Sequence, residues 1–566
     1  MPSQSRTSDP LDVAIVGGGV SGLYAAWRLL ESAQENGLQP PSVAVFEMGE
    51  RIGGRLLTWL PAGSGAGLRA ELGGMRFFEE QKLVWELLGQ LGFGDEDIVP
   101  FYVNGKNLRL LLRGSSMSLE DPEPGGRYLL DDADRQKKAG KVLEEVIEEI
   151  LGTPENVAVL KKYLGGGTPQ NREQWDKVKP YLTWRKRPLW DVGFWNLFSE
   201  VRNPETYQYI TDSFGYYSLA ANWNAAEAMQ TMALDFTGNP VYHTLSQGYS
   251  ALPEALASAI VGLGGKIVTD TRLVSFKAPA GKATTARFVG PDGPFTVEAP
   301  SLVLGLPRRS LELLAPSPDF DLQGDPALKS LVDSVAPYPA FKIFLFFKSR
   351  WWEKQGIDRG RSICDLPIRQ TYYMAPDSLY EGKPTPPLGL IMASYDDARA
   401  VEYWQGLVPP ADQLEQGRVE LREALVELTR QAGLAEADES IVSEPPPNLH
   451  KAPAEMVAHA IEQLALLHGI PASEIPPPVV GAFADWGLDP YGGGWNFWRP
   501  QMNVQEAMTK VKTPLGADRG VYLVGESYSG VQGWVEGALS TTELVLEKHF
   551  DLARPSWLPA DYYLGW

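Results

Sequence analysis

Cysteine is almost missing from this chain: Cys364 is the only one in 566 residues. That excludes an intramolecular disulfide framework and any C-x-x-C pair, and it favours a reducing compartment. Histidine is scarce too. Of five, His450, His459 and His468 are spaced nine apart, so on one helix they would alternate faces and could not converge on a metal. No metal site is expected. The G-x-S-x-G elbow of a serine hydrolase is also absent. Basic residues fall short of acidic ones, 51 to 71, and the net charge of −20 argues against nucleic-acid backbones and anionic membranes as partners. No stretch reaches the ~20 apolar residues of a membrane span, and residues 1–12 are polar, with no signal-peptide core. The expected location is the cytoplasm. Internal repeats and low-complexity tails are lacking as well.

What is present is enough for a large core: 44% of residues are hydrophobic and 22% charged. At about 150 residues per domain, the length predicts three or four domains. The most informative stretch is 13–55. An apolar run at 13–16 reads as a buried strand, and it enters a turn holding Gly17, Gly19, Ser21 and Gly22 before an apolar helical segment at 23–30. G-x-G-x-x-G between a strand and a helix is a nucleotide-binding signature. Gly17 permits the tight turn, Gly19 lets backbone approach a pyrophosphate, and Gly22 lets helix pack on strand. The helix N-terminus then offers free N–H groups to phosphate. A second strand at 43–46 ends in Glu47, where a carboxylate can accept hydrogen bonds from ribose hydroxyls.

Further along, residues 81–91 and 131–151 have helical periodicity, the latter with Val142, Val146 and Ile150 at four-residue spacing. The segment that follows, to about Met232, is aromatic and helical, and most of its tryptophans are expected in the core. Strands at 266–269, 273–276 and 301–306 return to the texture of the first unit. Apolar runs at 340–347 and 389–395 read as further strands, and 520–525 as a last strand before a helix at 534–546. Pro-rich loops at 384–387, 445–447 and 476–478 punctuate the second half. Lys342 stands out by pattern alone: between Phe341 and Ile343 it must reach water or be buried with a partner.

After Glu47, the run through Arg51, Gly53, Gly54 and Arg55 resembles the second phosphate-binding segment of the flavin amine oxidases, which wraps the far side of FAD. Three further matches extend that resemblance over nearly the whole chain and place it in the L-amino-acid oxidase branch. They are Gly74-Met75-Arg76, the strand carrying Lys342, and Gly525-Glu526 followed by Gln532-Gly533-Trp534. The resemblance implies an α/β (α+β) fold in three parts. A discontinuous FAD-binding domain is expected at 1–80, 241–308 and 480–566. A mixed-sheet substrate domain is expected at 81–114 and 309–479, and a helical domain at 115–240.

For the site, it implies FAD held by Gly17, Gly19, Ser21, Gly22, Glu47, Arg55, Gly74, Met75, Arg76, Leu273, Glu526, Gly533, Trp534 and Val535. The amides of Trp534 and Val535, opening a helix, would favour negative charge on the flavin pyrimidine. The substrate would be an L-amino acid. Its carboxylate would be clamped by the guanidinium fork of Arg76 and shared by Tyr395, with its Cα hydrogen over the flavin. Trp486 and Trp534 would wall the amine. Trp495 would touch the side chain, Gly533 would lie beneath, and Lys342 would hold a water.

Two departures matter. A histidine of some relatives is replaced near Ala226, so no base role carries over. The cysteine that tethers flavin in some amine oxidases is absent from the segment 527–530, so FAD should be noncovalent. The expected reaction is oxidation of the amino acid to an imino acid that hydrolyses to 2-oxo acid and ammonia, with dioxygen reduced to hydrogen peroxide. The alternative is a 2-monooxygenase of the lysine or tryptophan type, which shares these motifs and yields an amide. A homodimer or tetramer is expected. Asp235, flanked by Leu234 and Phe236, either meets the distal cation of a lysine or arginine substrate or caps the turn that follows it.

Overall fold

Five short apolar runs, drawn from three distant parts of the chain, pair as one parallel sheet. In spatial order they are Lys266–Val268, Val43–Phe46, Val13–Val16, Ser301–Leu304 and Val521–Leu523. The central three are almost wholly buried, as strands covered on both faces must be. One face carries the helices Val20–Glu35, Ala251–Gly262 and Val535–His549. The other packs on an antiparallel three-stranded sheet, Arg272–Lys277, Thr284–Gly290 and Gly293–Ala299. The computed structural model describes residues 10–61, 68–121, 123–236, 241–374, 388–431 and 444–566. The Pro-rich loop expected at 384–387 lies outside the described residues, as does most of the turn expected after Asp235.

A second, eight-stranded sheet is mixed, with only Gly360–Cys364 and Arg109–Leu112 parallel neighbours. At its centre lies Ala340–Phe347, between Val480–Asp485 and Gly389–Asp397. The two-residue period divides the central strand cleanly. Phe341, Ile343, Leu345 and Phe347 pack under the helix Ala454–His468, while Phe344 and Phe346 face the other way. Lys342 therefore shares the second face, directly across from Tyr395. A third core gathers the helices between Ala139 and Thr231.

The helix predicted over 131–151 starts later, at Ala139–Leu151. Asp134 is buried and engaged by Arg202 Nε at 3.1 Å and Lys137 Nζ at 3.6 Å, and Lys138 is extended. Those contacts hold the preceding residues in turns. His450 lies on a strand, His450–Lys451, rather than on the helix that carries His459 and His468.

Candidate active site

At the carboxyl ends of the parallel strands a cavity of about 470 Å³ opens, the position at which open α/β sheets bind ligands. Of the residues expected to hold FAD, Gly17, Gly19, Ser21, Glu47, Arg55, Gly74, Leu273, Glu526, Gly533, Trp534 and Val535 line it. The loop geometry depends on glycine. Gly17 has φ +103°, and a Cβ there would meet the Gly305 carbonyl oxygen at 2.5 Å. Gly22 lies outside the wall, where a Cβ would strike the Gly17 carbonyl at 2.1 Å. Gly19 and Gly54 face each other from the two phosphate loops, and a Cβ on Gly54 would come within 3.3 Å of Gly19 Cα.

Glu47 is tied down by the Gly18 amide at 2.7 Å and the Gly49 amide at 2.8 Å, with burial pushing its carboxyl up. Arg55 pairs with Glu526 at 2.8 Å, and Glu526 also accepts from the Gly533 amide at 2.8 Å. A dinucleotide fits this donor set: two glycine loops and a helix N-terminus for pyrophosphate, an acid for ribose, and the start of Val535–His549 at the far end. Sequence reasoning missed Pro307, Tyr491 and Gly494 in this wall. Pro307 follows a strand of the sheet, so the rule for strand ends could have found it. The other two are brought from far away and carry no local signal.

A smaller cavity of about 110 Å³ shares Gly74, Gly533, Trp534 and Val535 with the first. Met75 and Arg76, expected on the cofactor, line this second cavity instead, together with Tyr395 and Trp495. The loop between Ala70–Glu71 and Phe77–Phe78 carries all three: Gly74 borders both cavities, while Met75 and Arg76 border only the second. Arg76 is 9% exposed and packs its guanidinium 4.2 Å over Tyr242 and 5.6 Å over Phe101. Its Nη1 donates to the Tyr372 hydroxyl at 3.1 Å. Burial opposes ionisation of that phenol, but Arg76 and Arg361 outweigh it and pull the group below its ordinary value. Among the described residues no carboxylate pairs with Arg76, and Arg76 is the one charged side chain in the described wall.

Lys342 is 1% exposed and lines neither cavity. It does not extend to the surface: its Nζ donates to the carbonyls of Glu71 at 2.9 Å and Gly73 at 2.7 Å, and sits 4.4 Å over the Tyr395 ring. Burial, opposed by Glu71 and reinforced by Arg76, brings its ammonium down to about 7. Glu71 is lifted to about 7 by burial, against hydrogen bonds from the Thr58 hydroxyl and the Tyr249 amide.

Two residues expected at the substrate lie outside both cavity walls. Trp486 is not a wall of either cavity; it lies behind Gly73, donating from Nε1 to the Leu72 carbonyl at 2.7 Å. Asp235 is buried beside the cavity, not in its wall, and already has a cation, Arg172 Nη2, at 4.0 Å. Phe236 and Tyr249 line the wall as well, and so do Tyr216, Leu219 and Phe497, which were not singled out in the sequence. They come from several elements, so no spacing betrays them. Ala226 lies in the helical core, and Cys364 is fully buried in the core of the mixed sheet, outside both walls.

Residues 20–443 match the model of flavin containing amine oxidoreductases. The chain is 24% identical to aplysianin-A of Aplysia kurodai over 97% of this chain and 92% of that protein. It is 23% identical to achacin of Lissachatina fulica over 96% and 94%. An L-amino-acid oxidase of Naja atra is 23% identical over 95% and 87%. Among solved structures, a double mutant of putrescine oxidase superposes with a TM-score of 0.62 at 16% identity, covering 96% of this chain and 99% of that one.

Proposed function

We propose, for a chain that belongs to the flavin-containing amine oxidoreductase family, that it oxidises L-amino acids: substrate, water and dioxygen give 2-oxo acid, ammonia and hydrogen peroxide. It is an FAD-dependent oxidase. FAD, when bound, would supply the two-electron oxidation, with dioxygen as the final electron acceptor.

The observation that carries the amino-acid reading is Arg76. A buried guanidinium without an acid, in the wall of a cavity that opens on the cofactor's, is provided for an anionic substrate group. Its fork holds the α-carboxylate by paired N–H groups, and the Tyr395 hydroxyl is the second donor in the same wall. A carboxylate fixed there aims Cα at Gly533 and Trp534, where the two cavities meet. Leu219, Phe236 and Phe497 take the side chain and exclude water. No carboxylate lines this wall among the described residues, so a second cation at the end of the substrate would be buried unpaired. Neutral side chains are therefore preferred over lysine and arginine. Nζ of Lys342, two of its positions held by carbonyls, keeps the third for a water and exchanges a proton with it near neutral pH, as hydrolysis of the imino acid requires.

The test is a peroxide assay across L-amino acids, their D-enantiomers and the corresponding carboxylate-free amines, with product mass. Turnover of L-leucine or L-phenylalanine to the 2-oxo acid supports the reading. An amide product would replace it with a monooxygenase, and turnover of amines alone would remove it.

A further inference from the structure

The mechanism above leaves Asp235 unused. It is 4% exposed and sits in a turn of π-helix, Met232–Phe236, that extends the helix Ala225–Thr231. Such turns occur frequently at functional sites. Its neighbours Thr231 and Phe236 reach the wall of the substrate cavity. Its own carboxylate goes elsewhere, to Arg172 Nη2 at 4.0 Å, beside the Trp534 side chain, and its backbone carbonyl accepts from the Tyr242 hydroxyl at 3.4 Å. Arg172 also donates from Nη1 to the Gly530 carbonyl at 2.5 Å, in the segment that leads to Trp534. Trp534 stands in the walls of both cavities. Its ring stacks on Tyr242 at 6.2 Å and 15°, and Tyr242 is the ring beneath the Arg76 guanidinium. Contacts thus run from Asp235 through Arg172 to the segment before Trp534, and from the Asp235 carbonyl through Tyr242 to the arginine clamp.

We propose that Asp235 and Arg172 form a latch that fixes Trp534 in the wall between the two cavities, making Asp235 a positioning residue for the clamp and not a reader of the substrate's side chain. This rests on the reading of the smaller cavity as the substrate site. A distal substrate cation would have to displace Arg172 and pass Trp534 to meet this carboxylate. The environment also gives the latch a pH dependence. Burial lifts the Asp235 carboxyl to about 6, against Arg172 and the neighbouring Trp534 side chain. The other titratable groups facing the pair are Tyr242 beside Asp235, and Glu227, Glu536, Tyr562 and Tyr563 around Arg172. As pH falls through about 6, Asp235 gains a proton, its attraction to Arg172 is lost, and the latch loosens.

The experiment uses FAD-loaded enzyme as wild type, Asp235→Ala, Asp235→Asn and Arg172→Gln. Binding of benzoate, an unreactive carboxylate, is read from the flavin absorbance between pH 5 and 8, alongside KM and kcat for leucine and lysine. Asp235→Ala is expected to weaken benzoate binding and raise KM by roughly tenfold, the scale of one charge-assisted hydrogen bond. Arg172→Gln should reproduce that effect, so the result does not hang on one variant folding. Asp235→Asn keeps the shape but loses the charge that holds Arg172; it should bind benzoate at every pH about as weakly as wild type does below pH 6. The leucine-to-lysine ratio should be the same in all four. Selective loss of lysine turnover in Asp235→Asn would overturn the proposal in favour of a side-chain reader. Wild-type affinity and pH dependence in Asp235→Ala would reduce Asp235 to a turn residue. Absence of amino-acid turnover in the wild type would instead count against the oxidase reading, since benzoate binding reports on the latch without turnover.

Discussion

The two joined cavities are built in opposite ways. The FAD cavity is made largely of backbone: glycine loops, strand ends and a helix start, with Glu47, Arg55 and Glu526 as its fixed charges. The substrate cavity is made of side chains: a lone cation among tyrosines, tryptophans and phenylalanines from six or more separate segments. A backbone site tolerates no added atom where loops touch. A side-chain site tolerates reshaping, provided Arg76 keeps its fork.

The sharpest way to break that contrast is at Gly22. Gly22→Ala places a methyl 2.1 Å from a backbone oxygen that cannot swing away. It is expected to cost about 1–3 kcal/mol of stability and most of the bound FAD, measured by thermal melting and by flavin absorbance per chain. Retention of full FAD would mean that the loop is looser than its geometry. Next is Arg76→Lys, which keeps the charge and loses the paired donors. kcat/KM for L-leucine should fall at least about tenfold with flavin content unchanged. A loss of FAD instead would place Arg76 in the cofactor site, as the sequence first suggested.

Lys342→Met addresses the boundary between the two regions. Below about pH 7 the wild-type Nζ carries a proton, and above it the amine is free, so turnover should rise through about 7 in wild type. That limb should vanish in the variant. The smallest effect is expected at Tyr372→Phe, which removes one hydrogen bond to Arg76. KM should rise by roughly two- to tenfold, corresponding to about 0.5–1.5 kcal/mol, without change in FAD content.

The same contrast explains what the sequence disclosed. Gly17, Gly19 and Gly22 signal their role because a turn and two close approaches must fall at fixed spacing along one strand-turn-helix. Lys342 was legible because a lone charge in an apolar strand must find a partner, and Tyr395 only through the family resemblance; register sets them opposite each other. Leu219 and Phe497 were not legible, because an apolar wall residue and an apolar core residue obey the same pattern. Trp486 illustrates the error that follows: a buried tryptophan near Gly73 reads as a cage wall, but its indole is spent on the Leu72 carbonyl. Asp235 was ambiguous for a related reason. Burial demanded a cation, and local sequence could not reveal that Arg172 supplies it.

The central claim is that Arg76 makes this cavity a site for amino acids and not for amines. The most direct measurement mixes the oxidised, FAD-loaded enzyme anaerobically with L-leucine or with its decarboxylated amine and follows bleaching of the flavin absorbance. The account predicts rapid bleaching by the amino acid, and a rate for the amine lower by at least about tenfold, because the amine leaves a buried guanidinium unpaired. Equal bleaching by both would contradict it.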